Sequence, residues 1–247
     1  MEKQTKIVVI LGMHRSGTSM IGGVLKTLGV NLGEDSPGRQ ISNPLGHFED
    51  GDFLDLNCEI LKAGGGSWHK PPNQNQIQLT FEKFKETISD LLDRRNRDNA
   101  GKCWGWKDPR TCLTLDLYAP FLKNPYYIWV ERKPEDIAKS LLKRNNIPIN
   151  EGLKLVKNYQ GRIHDFFTRN PESHLLKISY QQVLKDPDRW VDHLVKFLDL
   201  NSEDTQVKQA IQFVLPRHHI KREKIIFQLK YYLSLPYRAL MRLINNK

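Results

Sequence analysis

The stretch Gly12-Met13-His14-Arg15-Ser16-Gly17-Thr18-Ser19 holds two glycines at G-x-x-x-x-G spacing, with one arginine and three hydroxyl side chains. These residue types suit an oxyanion. Glycines let successive backbone N–H groups turn inward around a phosphate, and a helix beginning at Thr18 adds its positive end. The lysine that a nucleoside-triphosphate loop carries after its second glycine is absent, and Thr18 stands in its place. Arg15 is the strong cation of the loop, and its position suits one terminal phosphate better than a β/γ pair bridged by Mg²⁺. A second anion grip is written in Arg132-Lys133-Pro134-Glu135-Asp136-Ile137-Ala138-Lys139-Ser140. There a guanidinium fork and a hydroxyl can fix a phosphate dianion. Read blandly, the first motif is a turn joining strand to helix, and the second is a helix start with an exposed arginine.

For these groups to meet, they must sit at matching ends of neighbouring elements. Lys6–Leu11 is a short β-branched run ended by glycine, which predicts a buried strand. Met20, Ile21, Val24, Leu25 and Leu28 recur at helical spacing and predict a helix over Thr18–Leu28, closed by Gly29. Tyr126–Val130 predicts a strand just before Arg132, and Pro134–Arg144 a helix with proline in its first turn. Helices are also expected over Asp52–Lys62, Leu79–Arg95, Gly152–Arg169 and Asp188–Leu198. Strands are expected over Cys103–Lys107 and His174–Ser179, with a turn at Asp108-Pro109. Such alternation predicts an α/β fold, a central parallel sheet flanked by helices, with ligands bound at the carboxyl ends of its strands.

Arg15-Ser16-Gly17-Thr18-Ser19 closely resembles the 5′-phosphosulfate loop of sulfotransferases that use PAPS (3′-phosphoadenosine 5′-phosphosulfate). The segment from Arg132 to Ser140 resembles the R-x-P-x-x-x-x-x-S signature with which that family holds the 3′-phosphate. A third segment, Ser179-Tyr180-Gln181-Gln182-Val183-Leu184-Lys185-Asp186-Pro187, resembles one whose tyrosine lies near the adenine. Gln181 and Gln182 depart from its usual acids, so only Tyr180 carries over. Met20 stands where cytosolic members place an adenine-stacking tryptophan. The resemblance runs from about Ile7 to Leu200 and implies a single P-loop-NTPase-like domain over residues 1–216. It further implies PAPS as co-substrate, PAP as product and no metal. Cofactor-binding residues carried over are His14, Arg15, Ser16, Gly17, Thr18, Ser19, Arg132, Ser140 and Tyr180.

The same resemblance implies a catalytic set. Arg15 and Lys107 would place positive charge on the sulfate and departing phosphate, Lys107 lying where relatives carry a K-x-x or K-x-P segment. Glu49 would be the base, as a glutamate after the first helix is in tyrosylprotein and glycosaminoglycan sulfotransferases. Many cytosolic members use a histidine instead, and none occurs over Lys107–Leu113. His47, Asp50 and Asp108 remain alternatives for the base. A carboxylate of ordinary pKa, about 4, serves as a base at neutral pH only where burial raises it. His47, Trp68, Asp108 and Arg110 are the candidates for binding the acceptor. Trp68 could stack on a sugar or aromatic ring or simply anchor its loop. Arg110 could hold an anionic acceptor or pair with Asp108 in a capped turn.

The activity implied is transfer of a sulfuryl group from PAPS to a hydroxyl or amine of a small molecule or glycan, a saccharide or glycolipid among them. Two other readings stand beside it: a small-molecule kinase using ATP and Mg²⁺, and an inactive nucleotide- or glycan-binding protein. The missing lysine, and the lack of an apolar strand ending in Asp, count against the kinase. Composition narrows the rest. The chain has 247 residues, 39% hydrophobic and 27% charged, which fits one sizeable folded domain. Cys58, Cys103 and Cys112 show no C-x-x-C spacing, so free thiols in a reducing, cytoplasmic setting are expected. Of the net charge of +10, residues 217–247 carry +7. A basic body suited to nucleic acid is therefore not expected. That basic, aromatic-rich segment predicts a helical extension, which could lie on an anionic membrane as a peripheral contact or dock its apolar side on the domain.

Overall fold

The computed structural model describes residues 5–34 and 46–214. The basic segment 217–247, with its expected helix, lies outside the described residues. β1 (Lys6–Leu11) runs between β2 (Cys103–Lys107) and β3 (Tyr126–Glu131), and β4 (His174–Ser179) lies beyond β3. Every pairing is parallel, with Ile10 opposite Lys107 and Leu11 opposite Trp129. The order 2-1-3-4 puts the end of β1 where chain connections leave to opposite sides, the position at which open α/β sheets bind ligands.

Alternation along β1 builds two cores. Ile7, Val9 and Leu11 face one layer of helices: α2 (Gly51–Ala63), α4 (Phe81–Asp98), α5 (Thr111–Tyr118), α6 (Pro134–Asn145) and α7 (Ile149–Arg169). Val8 and Ile10 face the other: α1 (Thr18–Thr27), α9 (Pro187–Leu198) and α10 (Asp204–Phe213), with Val183 of the short α8 (Tyr180–Lys185). Each fully buried aliphatic side chain contributes roughly 1.5–3 kcal/mol, so five consecutive buried residues fix β1 as the spine. The strand expectations hold, β3 running one residue further. Of the unexpected elements, α5 is instructive. Seven of its eight residues are buried, so it has no polar face to give a helical period. The short α3 (Gln74–Gln78) begins with a capping box at Asn73. Among the described residues no helix is long and apolar enough to cross a membrane.

Two packing details aim the site. Gly22 on α1 leaves room for Phe48, whose Cβ lies only 3.0 Å from where a side chain at 22 would start. Phe48 packs edge-on to Phe213 of α10 at 5.8 Å, which pins the segment carrying Glu49 onto α1. The second detail is Asn57, fully buried on α2. It donates to Asp108 Oδ2 (2.9 Å) and Thr111 Oγ1 (3.1 Å), and accepts from Thr114 Oγ1 (2.6 Å) and the Tyr118 hydroxyl (3.1 Å). Replacing it by alanine orphans several buried polar groups, each costing about 1–3 kcal/mol. Asn57→Ala is expected to lose about 3 kcal/mol or more of stability in urea unfolding and to melt roughly 6–12 °C lower. An unchanged midpoint would contradict the network.

Candidate active site

The glycine loop leaves β1 and turns on strained backbone. Arg15 takes a left-handed φ of 72°, unusual for a residue with a side chain, and Gly17 takes 104°. The Ser16 N–H closes the turn on the Met13 carbonyl (3.0 Å), and the Gly12 N–H is satisfied by the buried Cys112 Sγ at 3.2 Å. No side chain caps α1 and no acid lies in its first turn. Its leading N–H groups and positive end therefore open into the loop. Ser16 Oγ is buried and makes no hydrogen bond among the described residues. A buried hydroxyl without a partner beside an uncapped helix start fits a bound oxyanion.

The second motif arrives at the same place. Arg132, just past β3, donates from Nη1 to the Arg15 carbonyl (3.1 Å), and Arg15 Nε donates to Ser140 Oγ of α6 (2.9 Å). Tyr180 buttresses both. Its ring fills the space that a side chain at Gly17 would need, and the Arg132 guanidinium sits 4.6 Å above it. Arg132 Nε is buried without a hydrogen bond among the described residues, where Asp136 Oδ2 lies 4.0 Å away. Burial, then Arg144 and Arg132, hold the Arg15 pKa below its ordinary value, a sign of cations crowded together. Such a cluster is stable with an anion among its members.

Lys107 ends β2 with its side chain 1% exposed. Its Nζ meets Glu49 Oε1 at 2.7 Å and reaches Ser19 Oγ of the loop at 3.3 Å. Burial pushes the Glu49 pKa up, but Lys107, Arg110 and His47 outweigh it, and the carboxyl titrates below its usual range. The requirement that burial raise this group is therefore not met with Lys107 in place. Glu49 is ionised at neutral pH and tied to an ammonium. Asp50 serves the fold instead, capping α2 by accepting from the Asp52 N–H and pairing with Arg95 at 2.6 Å. Asp108 is fully buried, bound to Asn57, to the Arg110 backbone N–H (3.1 Å) and to Arg110 Nη1 (2.7 Å). Burial raises its pKa, with Arg110 opposing. Its geometry is that of a turn carboxylate fixing Arg110.

His14 and Trp68 join on the far side of the loop. Their ring centroids lie 4.6 Å apart, Tyr159 lies 6.2 Å from His14, and the Trp68 carbonyl accepts from the Tyr159 hydroxyl at 2.8 Å. Burial first, then Arg110, Lys107, Arg144 and Arg15, hold the His14 pKa well below its usual value, so the ring is neutral. His47 sits in the segment leading to Glu49, near enough for its charge to favour that carboxylate. The sequence reading missed Asn57, Tyr159 and Arg144. Asn57 was detectable as a polar residue on the buried stripe of Phe53, Leu54, Ile60 and Leu61. Arg144 stands one turn beyond Ser140 on the same face of α6. Two surface hollows, about 680 Å³ between α2 and α4 and about 480 Å³ beside Trp129 and α7, lie away from this loop.

The geometry agrees with comparisons to known proteins. A family model described as "Sulfotransferase family" matches residues 8–204. No curated protein matches the sequence. Among solved structures, the sulfotransferase domain of the Synechococcus PCC 7002 olefin synthase is similar at a TM-score of 0.55 and 18% identity, over 84% of this chain and 77% of that one. The sulfotransferase domain of the curacin biosynthetic pathway gives 0.54 and 18%, over 84% and 78%. A Mycobacterium avium sulfotransferase gives 0.52 and 15%, over 84% and 67%. At these identities the likeness establishes the fold, and the family match covers most of the chain: the protein belongs to the sulfotransferase family, enzymes that move a sulfuryl group.

Proposed function

We propose that this sulfotransferase uses PAPS and delivers its sulfuryl group to a hydroxyl or amine. The observation that carries the proposal is the meeting of two anion grips from distant parts of the chain. Arg15 Nε bonds Ser140 Oγ at 2.9 Å while Arg132 Nη1 bonds the Arg15 carbonyl at 3.1 Å. PAPS supplies the activated sulfuryl group when bound. The loop N–H groups, Ser16 and Thr18 would cradle its 5′ end, and Arg132 with Ser140 would take the 3′-phosphate. Tyr180 would flank the adenosine. No metal is needed in this reading, because Arg15 and Lys107 provide the positive charge.

Glu49 is the proposed base, taking the acceptor's proton at its carboxylate. Its resting partner, Lys107, also faces the loop through Ser19. When the ammonium turns toward loop-bound oxygens, its pull on Glu49 weakens. Burial is then opposed only by Arg110 and His47, so the carboxyl pKa moves up from its resting position and the group becomes a better base. Trp68 and His14 form the wall on which an acceptor would rest.

Two outcomes follow. In thermal shift, PAP should stabilise the protein and ATP with Mg²⁺ should not. At a hundred times its Kd, PAP adds about 2.7 kcal/mol, and Arg15→Ala should abolish the shift. Equal stabilisation by ATP with Mg²⁺ would favour a kinase. Glu49→Gln should lower kcat by roughly 10²–10⁴-fold while PAP binding persists. Unchanged turnover would remove Glu49 as the base.

A further inference from the structure

Resting on the proposed function, we infer that the acceptor carries an anionic group, a carboxylate or phosphate near its reacting hydroxyl or amine, which Arg110 grips and Arg144 attracts. Glu49, as the base, has to touch the acceptor. A cation beside Glu49 that is not part of the donor loop is therefore placed to meet the acceptor. Arg110 is such a neighbour: it stands three residues after Lys107, whose Nζ meets Glu49 Oε1 at 2.7 Å, in the turn that leads from β2 into α5. It and Glu49 favour each other's charged form. It also acts on the neutral His14 ring, which rests on Trp68.

Arg110 is built to bind rather than to wander. Asp108 Oδ1 accepts from both its backbone N–H and its Nη1, and Asn57 anchors Asp108 from below. The side chain is 14% exposed, and its Nε is buried without a hydrogen bond among the described residues. A rigid guanidinium whose Nε–H is still unpaired is a fixed receptor for an oxyanion. Asp108 does not remove the need for one, since it engages a different nitrogen of the same fork.

Arg144 adds long-range attraction. It is exposed on α6, one turn past the Ser140 that holds Arg15, and its charge reaches both Arg15 and His14. The 3′- and 5′-groups of the donor answer Arg132 and Arg15. Arg110 and Arg144 remain for the second substrate.

The test titrates PAP-saturated protein by calorimetry with matched pairs: 4-hydroxyphenylacetate against its amide, glucuronate against glucose, and glucose 6-phosphate against glucose. At least one anionic member should bind roughly ten- to a hundredfold tighter than its neutral twin. The sugar arms tell carboxylate from phosphate. Arg110→Gln should erase that preference, Arg110→Lys should restore part of it, and Arg144→Gln, at an exposed site, should reduce it by severalfold. Neutral members binding as well as their anionic twins, no anionic member binding, or a preference that survives both glutamine variants would each overturn the inference. Failure of the donor reading is seen separately, as loss of stabilisation by PAP itself.

Discussion

Concentrated positive charge at the carboxyl ends of three adjacent parallel strands is the constraint on which the rest of this protein depends. β1 delivers Arg15 and the uncapped start of α1, β2 delivers Lys107 and Arg110, and β3 delivers Arg132. Like charges brought this close repel, and burial makes each dearer still. The fold tolerates them because each has an answering group close by. Glu49 answers Lys107 and Asp108 answers Arg110, while Arg15 and Arg132 lean on a hydroxyl, a carbonyl and the face of Tyr180.

Two of the buried carboxylates, Asp108 and Glu49, divide the labour. Asp108 is locked from three sides and positions a guanidinium; Glu49 is held by a lysine that also reaches the loop. Removing one member of such a buried pair costs about 3–5 kcal/mol, because the other is left charged in a poor solvent. That cost explains the supports around the pair. Phe48 fastens the Glu49 segment to α1 through the space at Gly22, and Asp50, one residue on, caps α2 and binds Arg95 of α4. Glu49, the proposed base, is thus held by packing, helix capping and an ion pair at once.

Much of this was legible in the residues. A β-branched run marked β1, short apolar or aromatic runs marked the other three strands, and the glycine loop and the Arg132–Ser140 segment follow the ends of β1 and β3 as expected. What could not be read were relations made only by the fold. α5 hides because a helix buried all round has no period. Asp108 and Arg110 looked equally like a surface turn and a binding pair, until burial under Asn57 made one the anchor of the other. The pKa of Glu49 lay beyond the sequence as well, since it is set by Lys107 and Arg110 from the end of β2, with nearby His47, competing with burial. Trp68 needed the loop histidine beside it before it became part of a wall.

The most direct measurement compares the affinities of PAP and of adenosine 5′-monophosphate, which lacks the 3′-phosphate, in wild type and in Arg132→Ala. If one nucleotide spans both grips, wild type should prefer PAP by roughly 10–100-fold and the variant should lose most of that ratio. An equal ratio in both proteins would show that Arg132 does not read the 3′-phosphate, and the account of the crevice would fail.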